Sequence, residues 1–99
     1  MTDKKFAFLL MGDYDPIMHQ AMFETASKTT CIFTVRDFEQ AKNKVLELKE
    51  EGFGALELCG AFGPERAKEL FELLGGTVAV GYVTHDPAQD ALFAAFFGR

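Results

Sequence analysis

Tryptophan is absent from this chain, and cysteine is reduced to Cys31 and Cys59. Two thiols do not make the disulfide framework that small secreted domains use in place of a large core. Basic residues are also scarce, with Lys and Arg at 10 against 15 Asp and Glu, for a net charge of -5. Nonspecific nucleic-acid binding needs a basic stripe to neutralise phosphates, so that class is excluded, and an anionic membrane surface is disfavoured for the same reason. No apolar run reaches the ~18 residues needed to span a bilayer. The start, Met-Thr-Asp-Lys-Lys, precedes an apolar run that is short and strand-like, unlike a signal peptide, so the expected location is cytoplasmic. Proline occurs three times, at Pro16, Pro64 and Pro87. Each stands where a helix would begin, its missing N–H being one that a first turn leaves free.

What the chain does have is apolar area. Hydrophobic residues make up 48% of its 99 residues, and phenylalanine alone accounts for 11. Phe brings large area with no polar atom to satisfy. A chain of this length forms one domain, here taken as 1–99, with a single modest core.

Four apolar runs, at residues 6–11, 31–35, 55–59 and 78–83, read as strands. Helical patterns lie between them. Asp15-Pro16 and Asp86-Pro87 are cap-plus-proline starts, the latter with Gln89 placed to close a capping box. Asp37 and Gln40 form a second candidate box. Phe38, Ala41, Val45 and Leu48 fall on one helical stripe ending at Gly52, and Ala67, Leu70, Phe71 and Leu74 on another ending at Gly75-Gly76. Met18, Ala21 and Met22 make a weaker stripe for a first helix. Residues 88–97 are apolar on more than one side, the mark of a buried helix or of one covered by a second subunit.

Strand–helix alternation predicts parallel βαβ units. The expected fold is α/β: a three-layer α/β/α domain with a four-stranded parallel (βα)4 sheet in strand order 2-1-3-4. A half-barrel completed by dimerisation is the alternative.

In such sheets ligands bind beyond the carboxyl ends of the strands. That edge would gather Gly12, Asp13, Tyr14 and Asp15 after the first strand, Arg36 and Asp37 after the second, residues 59–63 after the third, and Thr84, His85 and Asp86 after the last. Cys31 would lie at the opposite end of its strand, too far from Cys59 for a disulfide, so both are expected as thiols.

The run Cys59-Gly60-Ala61-Phe62-Gly63-Pro64-Glu65 reads two ways. Gly60 to Gly63 can offer free N–H groups that, with a helix N-terminus, cradle an anion, although Glu65 adds negative charge there. The plainer reading is a βα turn in which glycine supplies backbone freedom. The Lys-Ser/Thr ending of a P-loop is missing, as is the G-x-G-x-x-G of a dinucleotide site.

Cys59 near a helix N-terminus is a candidate nucleophile, with His85 as base and Asp86 to orient it. A small buried apolar cysteine is the commoner case. His19, His85, Asp13, Asp15 and Cys59 lack metal-ligand spacing, so neither metal nor cofactor is expected. Glu57 alternates with Ala55 and Cys59 on one face of an apolar strand. A lone carboxylate there must be paired, with Arg36 or Arg66 as partner, or protonated, or near an opening. Glu57 is thus a candidate acid or base beside Cys59, or simply an edge or contact residue that meets water. Tyr14 and Tyr82 carry polar tips at the same edge, although capping the core is their commoner role.

The run Leu56-Glu57-Leu58-Cys59-Gly60-Ala61-Phe62-Gly63-Pro64-Glu65, followed by Gly75-Gly76 and Val78-Ala79-Val80-Gly81-Tyr82-Val83, resembles a small bacterial and archaeal family of unknown function, about one domain long. The resemblance covers nearly the full length. It implies an α/β fold and treats Glu57 and Cys59 as one feature.

Three functional expectations follow. The first is a protein that holds a small polar or anionic molecule at the carboxyl edge, with Gly60, Ala61, Phe62, Gly63, Arg36, Asp13 and Tyr14 as binding residues. The second is a thiol-dependent enzyme using Cys59 with His85 or Glu57. The third is a structural homodimer or interaction module assembled through Phe93, Phe96 and Phe97.

Overall fold

A computed structural model describes residues 4–98. Residues 1–3, which belong to the N-terminal reading, and residue 99 lie outside the described part. The chain runs β1 (Lys5–Met11), β2 (Ala21–Glu24), β3 (Thr29–Val35), α1 (Phe38–Glu50), β4 (Ala55–Leu58), α2 (Gly63–Leu73) and β5 (Ala79–Tyr82). A 3-10 turn, Pro87–Gln89, then leads into α3 (Asp90–Phe97). The sheet order is β2-β3-β1-β4-β5. β1, β3, β4 and β5 pair in parallel, and β2 pairs antiparallel with β3.

The four expected strands therefore stand in the expected order, but the sheet has a fifth strand, and the purely parallel (βα)4 arrangement is corrected. The fifth strand replaces the first helix. Asp15 Oδ1 accepts from the N–H groups of Ile17 and Met18, and His19 N–H donates to Asp15 O at 2.8 Å, so a single turn forms. Thr25 then ends any helix. Its Oγ1 accepts from the N–H of Ser27 and of Lys28, both at 3.2 Å, and its N–H donates to Lys28 O at 3.0 Å. A threonine hydroxyl that captures the amides two and three residues on makes a tight turn. The hairpin so closed lays Met22 beside Cys31 and Phe23 beside Thr30.

The three-layer expectation is also corrected, to two layers. Crossovers β3–α1–β4 and β4–α2–β5 step across the sheet in one direction, and right-handed connections place both helices on the same face. Only β1 to β3 steps the other way, and that connection is the hairpin. Among the described residues, the other face of the sheet thus has no helix.

Strand alternation divides the residues accordingly. Ala7, Leu9, Cys31, Val35, Leu56 and Leu58 face the helices and form the core with Ala41, Val45 and Leu48 of α1 and Ala67, Leu70 and Leu74 at α2. Leu48, Leu58 and Leu70 are fully buried, each contributing roughly 2–3 kcal/mol of transfer free energy. Phe53, Phe62 and Val78 close the ends of this layer.

The opposite, open face carries Phe6, Phe8 and Leu10 of β1, Thr30, Ile32 and Thr34 of β3, Ala55 and Glu57 of β4, Ala79 and Gly81 of β5, and Ala21 and Phe23 of β2. Of these only Thr34 is buried, its hydroxyl donating to His19 O at 2.8 Å.

Helix α3, expected to be covered, has every residue exposed. Asp86 caps its approach, with Oδ1 accepting from Ala88 N–H at 2.9 Å. Gln89 joins through its backbone, its N–H donating to Asp86 O at 2.8 Å. With α3 standing off, the molecule measures 44 × 27 × 24 Å and its radius of gyration is 14.0 Å. A compact chain of this length would have about 13 Å.

Candidate functional site

Parallel pairing brings the carboxyl ends of β1, β3, β4 and β5 to one edge. At the β1–β3 part, Arg36 Nη1 donates to Tyr14 O at 3.4 Å, and Nη2 lies 3.9 Å from Asp13 Oδ1. Both side chains of this ion pair are exposed, so it adds little stability. The Tyr14 ring lies over Gly12, where an added methyl would sit 3.1 Å from Tyr14 Cε2. Its edge meets the His19 ring at a centroid distance of 6.1 Å. Asp37 Oδ1 accepts from Gln40 N–H at 2.8 Å, and Gln40 Oε1 accepts from Arg36 N–H at 2.8 Å. The box expected at α1 therefore forms, with its return bond to the residue before the cap.

At the β4 part, Phe62 N–H donates to Cys59 O at 3.1 Å and closes a turn. Gly63 follows at φ +77°, a conformation that L side chains resist. Helix α2 starts there with Phe62 in the cap position. That side chain is buried and offers no acceptor, so no side chain caps the first-turn N–H groups of α2. The Phe62 ring packs edge-on to Phe38 of α1 at 6.5 Å. Over Phe38 stand two cations, Arg66 at 5.0 Å and Lys42 at 5.5 Å.

The first turns of α1 and α2 thus meet at Phe38 and Phe62, with Arg66 and Lys42 beside them. Lys42 also pairs with Glu39 at 2.8 Å, and that hydrogen bond holds its pKa above the usual lysine value. Glu65 brings an opposing charge to the first turn of α2. A groove of about 310 Å³ runs from Pro64 along α2 beside β5, past Lys68 and Tyr82. The sequence alone gives Lys42 no role, sets Phe38 on a core stripe and offers Arg66 as a partner for Glu57. The signal was there in part, since Phe38 and Lys42 are helix neighbours at i, i+4.

The three candidate catalytic residues do not share a set of contacts. Cys59 leaves the strand alternation: its Sγ accepts from Met11 N–H at 3.4 Å, past the end of the β1–β4 ladder, and it packs against the core. His85 belongs to the C-terminal arm, where Nε2 lies 2.7 Å from Asp90 Oδ1 and the ring stacks on Phe93 at 3.9 Å. Asp86, expected to orient it, caps Ala88 instead.

Glu57 lies on the open face, half-buried, its carboxylate folded over Gly81. Its expected partners are engaged elsewhere, Arg36 with Tyr14 and Asp13 and Arg66 with Phe38. Cys31 and Cys59 are both free thiols. Burial pushes the Cys31 thiol pKa up. Among the described residues no three His, Cys, Asp or Glu side chains gather to hold a metal ion, and no helix is long and apolar enough to cross a membrane.

Comparison with known proteins gives a family and no nearer relative. No curated protein and no solved structure matches the chain. A family match extends over residues 4–98, both helix starts and the open face included, and on that span the chain belongs to DUF6506, a family of unknown function.

Proposed function

We propose that this domain binds a small anionic molecule at the carboxyl edge of its sheet, between the first turns of α1 and α2. The observation that carries this reading is the start of α2, where the cap residue Phe62 supplies no acceptor while Arg66 and Lys42 stand close by over Phe38. Free first-turn N–H groups and the positive end of the helix dipole favour an anion. Arg66 adds positive charge there against a net charge of -5, while Lys42 is already paired with Glu39 and Glu65 opposes it. Gly60, Ala61 and Gly63 leave the approach free of bulky side chains. Arg36, Tyr14 and Asp13 stand further along the same edge as a polar rim.

The thiol-dependent alternative has no comparable support, because His85 is taken up by Asp90 and Phe93 and Cys59 by Met11. The test is an amide-resolved NMR titration with phosphate, then citrate, at constant ionic strength. Saturable shifts centred on Gly63, Glu65 and Arg66 are expected. Arg66→Ala should weaken binding and Glu65→Gln should tighten it. An absence of saturable shifts at millimolar anion, or saturation centred elsewhere, overturns the reading.

A further inference from the structure

We propose that two copies of this chain exchange their C-terminal helices, each α3 lying across the open sheet face of the other. Among the described residues, two apolar surfaces lack a cover. One is the open face, with Phe6, Phe8, Phe23 and Ile32 on neighbouring strands and Glu57 as the only charged position in the paired strands there. The other is α3, on which Leu92 is 70% exposed, Phe96 82% and Phe93 39%.

An eight-residue helix is marginal in water by itself and takes its stability from packing one face. In α3 no residue is buried, so that packing must come from outside the helix. Contiguous exposed apolar area of a few hundred Å² marks an interaction surface.

The areas match what a stable dimer needs. These three side chains of α3 expose about 300 Å² together, taking the usual area of such residues. An equal area of sheet would be covered by each helix, and twofold symmetry doubles the sum to about 1,200 Å², the lower end of the range for standard stable interfaces. A twofold arrangement uses each helix and each face once and leaves neither open, so assembly stops at two.

The arm is also ordered by its own contacts. His85 bridges to Asp90 and stacks on Phe93, Asp86 caps Ala88, and the long axis of the molecule reaches 44 Å. These contacts order the helix before any partner arrives, which lowers the cost of docking. The proposal does not depend on anion binding at the carboxyl edge, which is a different part of the molecule.

The test is sedimentation equilibrium of the full chain with two variants, Phe96→Asp on the helix and Ile32→Asp on the face. Neither position is buried in one copy, so circular dichroism should show both variants folded. The wild type should be a dimer at micromolar concentration. Each variant should weaken dimerisation by at least ~30-fold, the effect of losing a central contact. An equimolar mixture of the two should recover part of the dimer, because one helix–face contact in the mixed pair is intact.

A monomeric wild type overturns the proposal, whether α3 stays extended or folds back on its own sheet. So does a dimer untouched by Phe96→Asp, which would mean sheet-to-sheet pairing, or one untouched by Ile32→Asp, which would mean helix-to-helix pairing. A mixture that recovers nothing counts against exchange as well.

Discussion

The carboxylate of Glu57 occupies the space that a side chain at residue 81 would need. A methyl group built on Gly81 would lie 2.5 Å and 2.7 Å from its two oxygens. The register that sets Glu57 beside Gly81 makes this a cross-strand pair, one partner bringing the bulk and the other its absence.

Gly81→Ala should therefore read differently in two backgrounds. In the wild type the methyl must push aside the flexible end of Glu57, offsetting the benefit of replacing a strand glycine, so stability should change by less than about 1 kcal/mol. With Glu57→Ala in place, the same substitution should stabilise by about 0.5 kcal/mol. Urea denaturation of the four proteins at one concentration measures the coupling. Equal effects in both backgrounds would show that the pair does not interact.

The caps at Asp37 and Asp86 have similar geometry and should have unequal value. Asp37 accepts from Gln40 N–H at the start of α1, whose inner face is core, and Asp37→Ala should cost about 1 kcal/mol of global stability. Asp86 accepts from Ala88 N–H on an arm with no buried residue, so Asp86→Ala should leave the main unfolding transition in place. Comparing the two urea midpoints checks this.

Acid should act first on the turn that replaced a helix. The N–H groups of Ile17 and then Met18 hold the Asp15 carboxyl below the usual aspartate range. A depressed folded-state pKa means the contribution is present above the unfolded pKa and is lost as pH falls through the folded value. Loosening of this turn is thus expected only below about pH 4. An NMR titration following Ile17 and Met18 amides should show it in the wild type, and Asp15→Asn should remove the acid step.

The two thiols should react in a fixed order. Cys31 is buried, and that burial raises its pKa and keeps it in the unreactive form. Cys59 is half-buried at the carboxyl edge. Under native conditions Ellman's reagent should label Cys59 well before Cys31, and Cys59→Ala should abolish the fast phase. Labelling of both at one rate would contradict the assigned burial.

Much of the frame follows from local pattern. The β1, β3, β4 and β5 runs are apolar and strand-like, the stripes of α1 and α2 match the faces they bury except at Phe71, which is exposed, and Asp37 with Gln40 marks a real helix start. Periodicity and caps act within a few residues, so they are legible along the chain. The expected first helix does not form because its stripe of Met18, Ala21 and Met22 competes with two short-range captures, by Asp15 and by Thr25, that turn the backbone before a helix can propagate.

The site was legible only as an edge. Parallel topology places Arg36, Tyr14 and the turn from Cys59 to Gly63 together, but spacing does not show that Phe62 would bury its ring and leave α2 uncapped, or that Arg66 would stand over Phe38 from another helix. Cys59, His85 and Glu57 diverge for the same reason. Which way each turns depends on what the neighbouring segments leave for it to touch: Met11 N–H, the Asp90–Phe93 pair and the bare Gly81.

By itself, then, the sequence determined four of the five strands and their order, because hydrophobic period and right-handed crossovers leave few alternatives. Only the tertiary structure decided that both helices share one face of the sheet and that the other face and α3 stand uncovered. That outcome turns on a single connection, β1 to β3, in which a hairpin is closed by side-chain hydrogen bonds where a helix would have supplied the third layer.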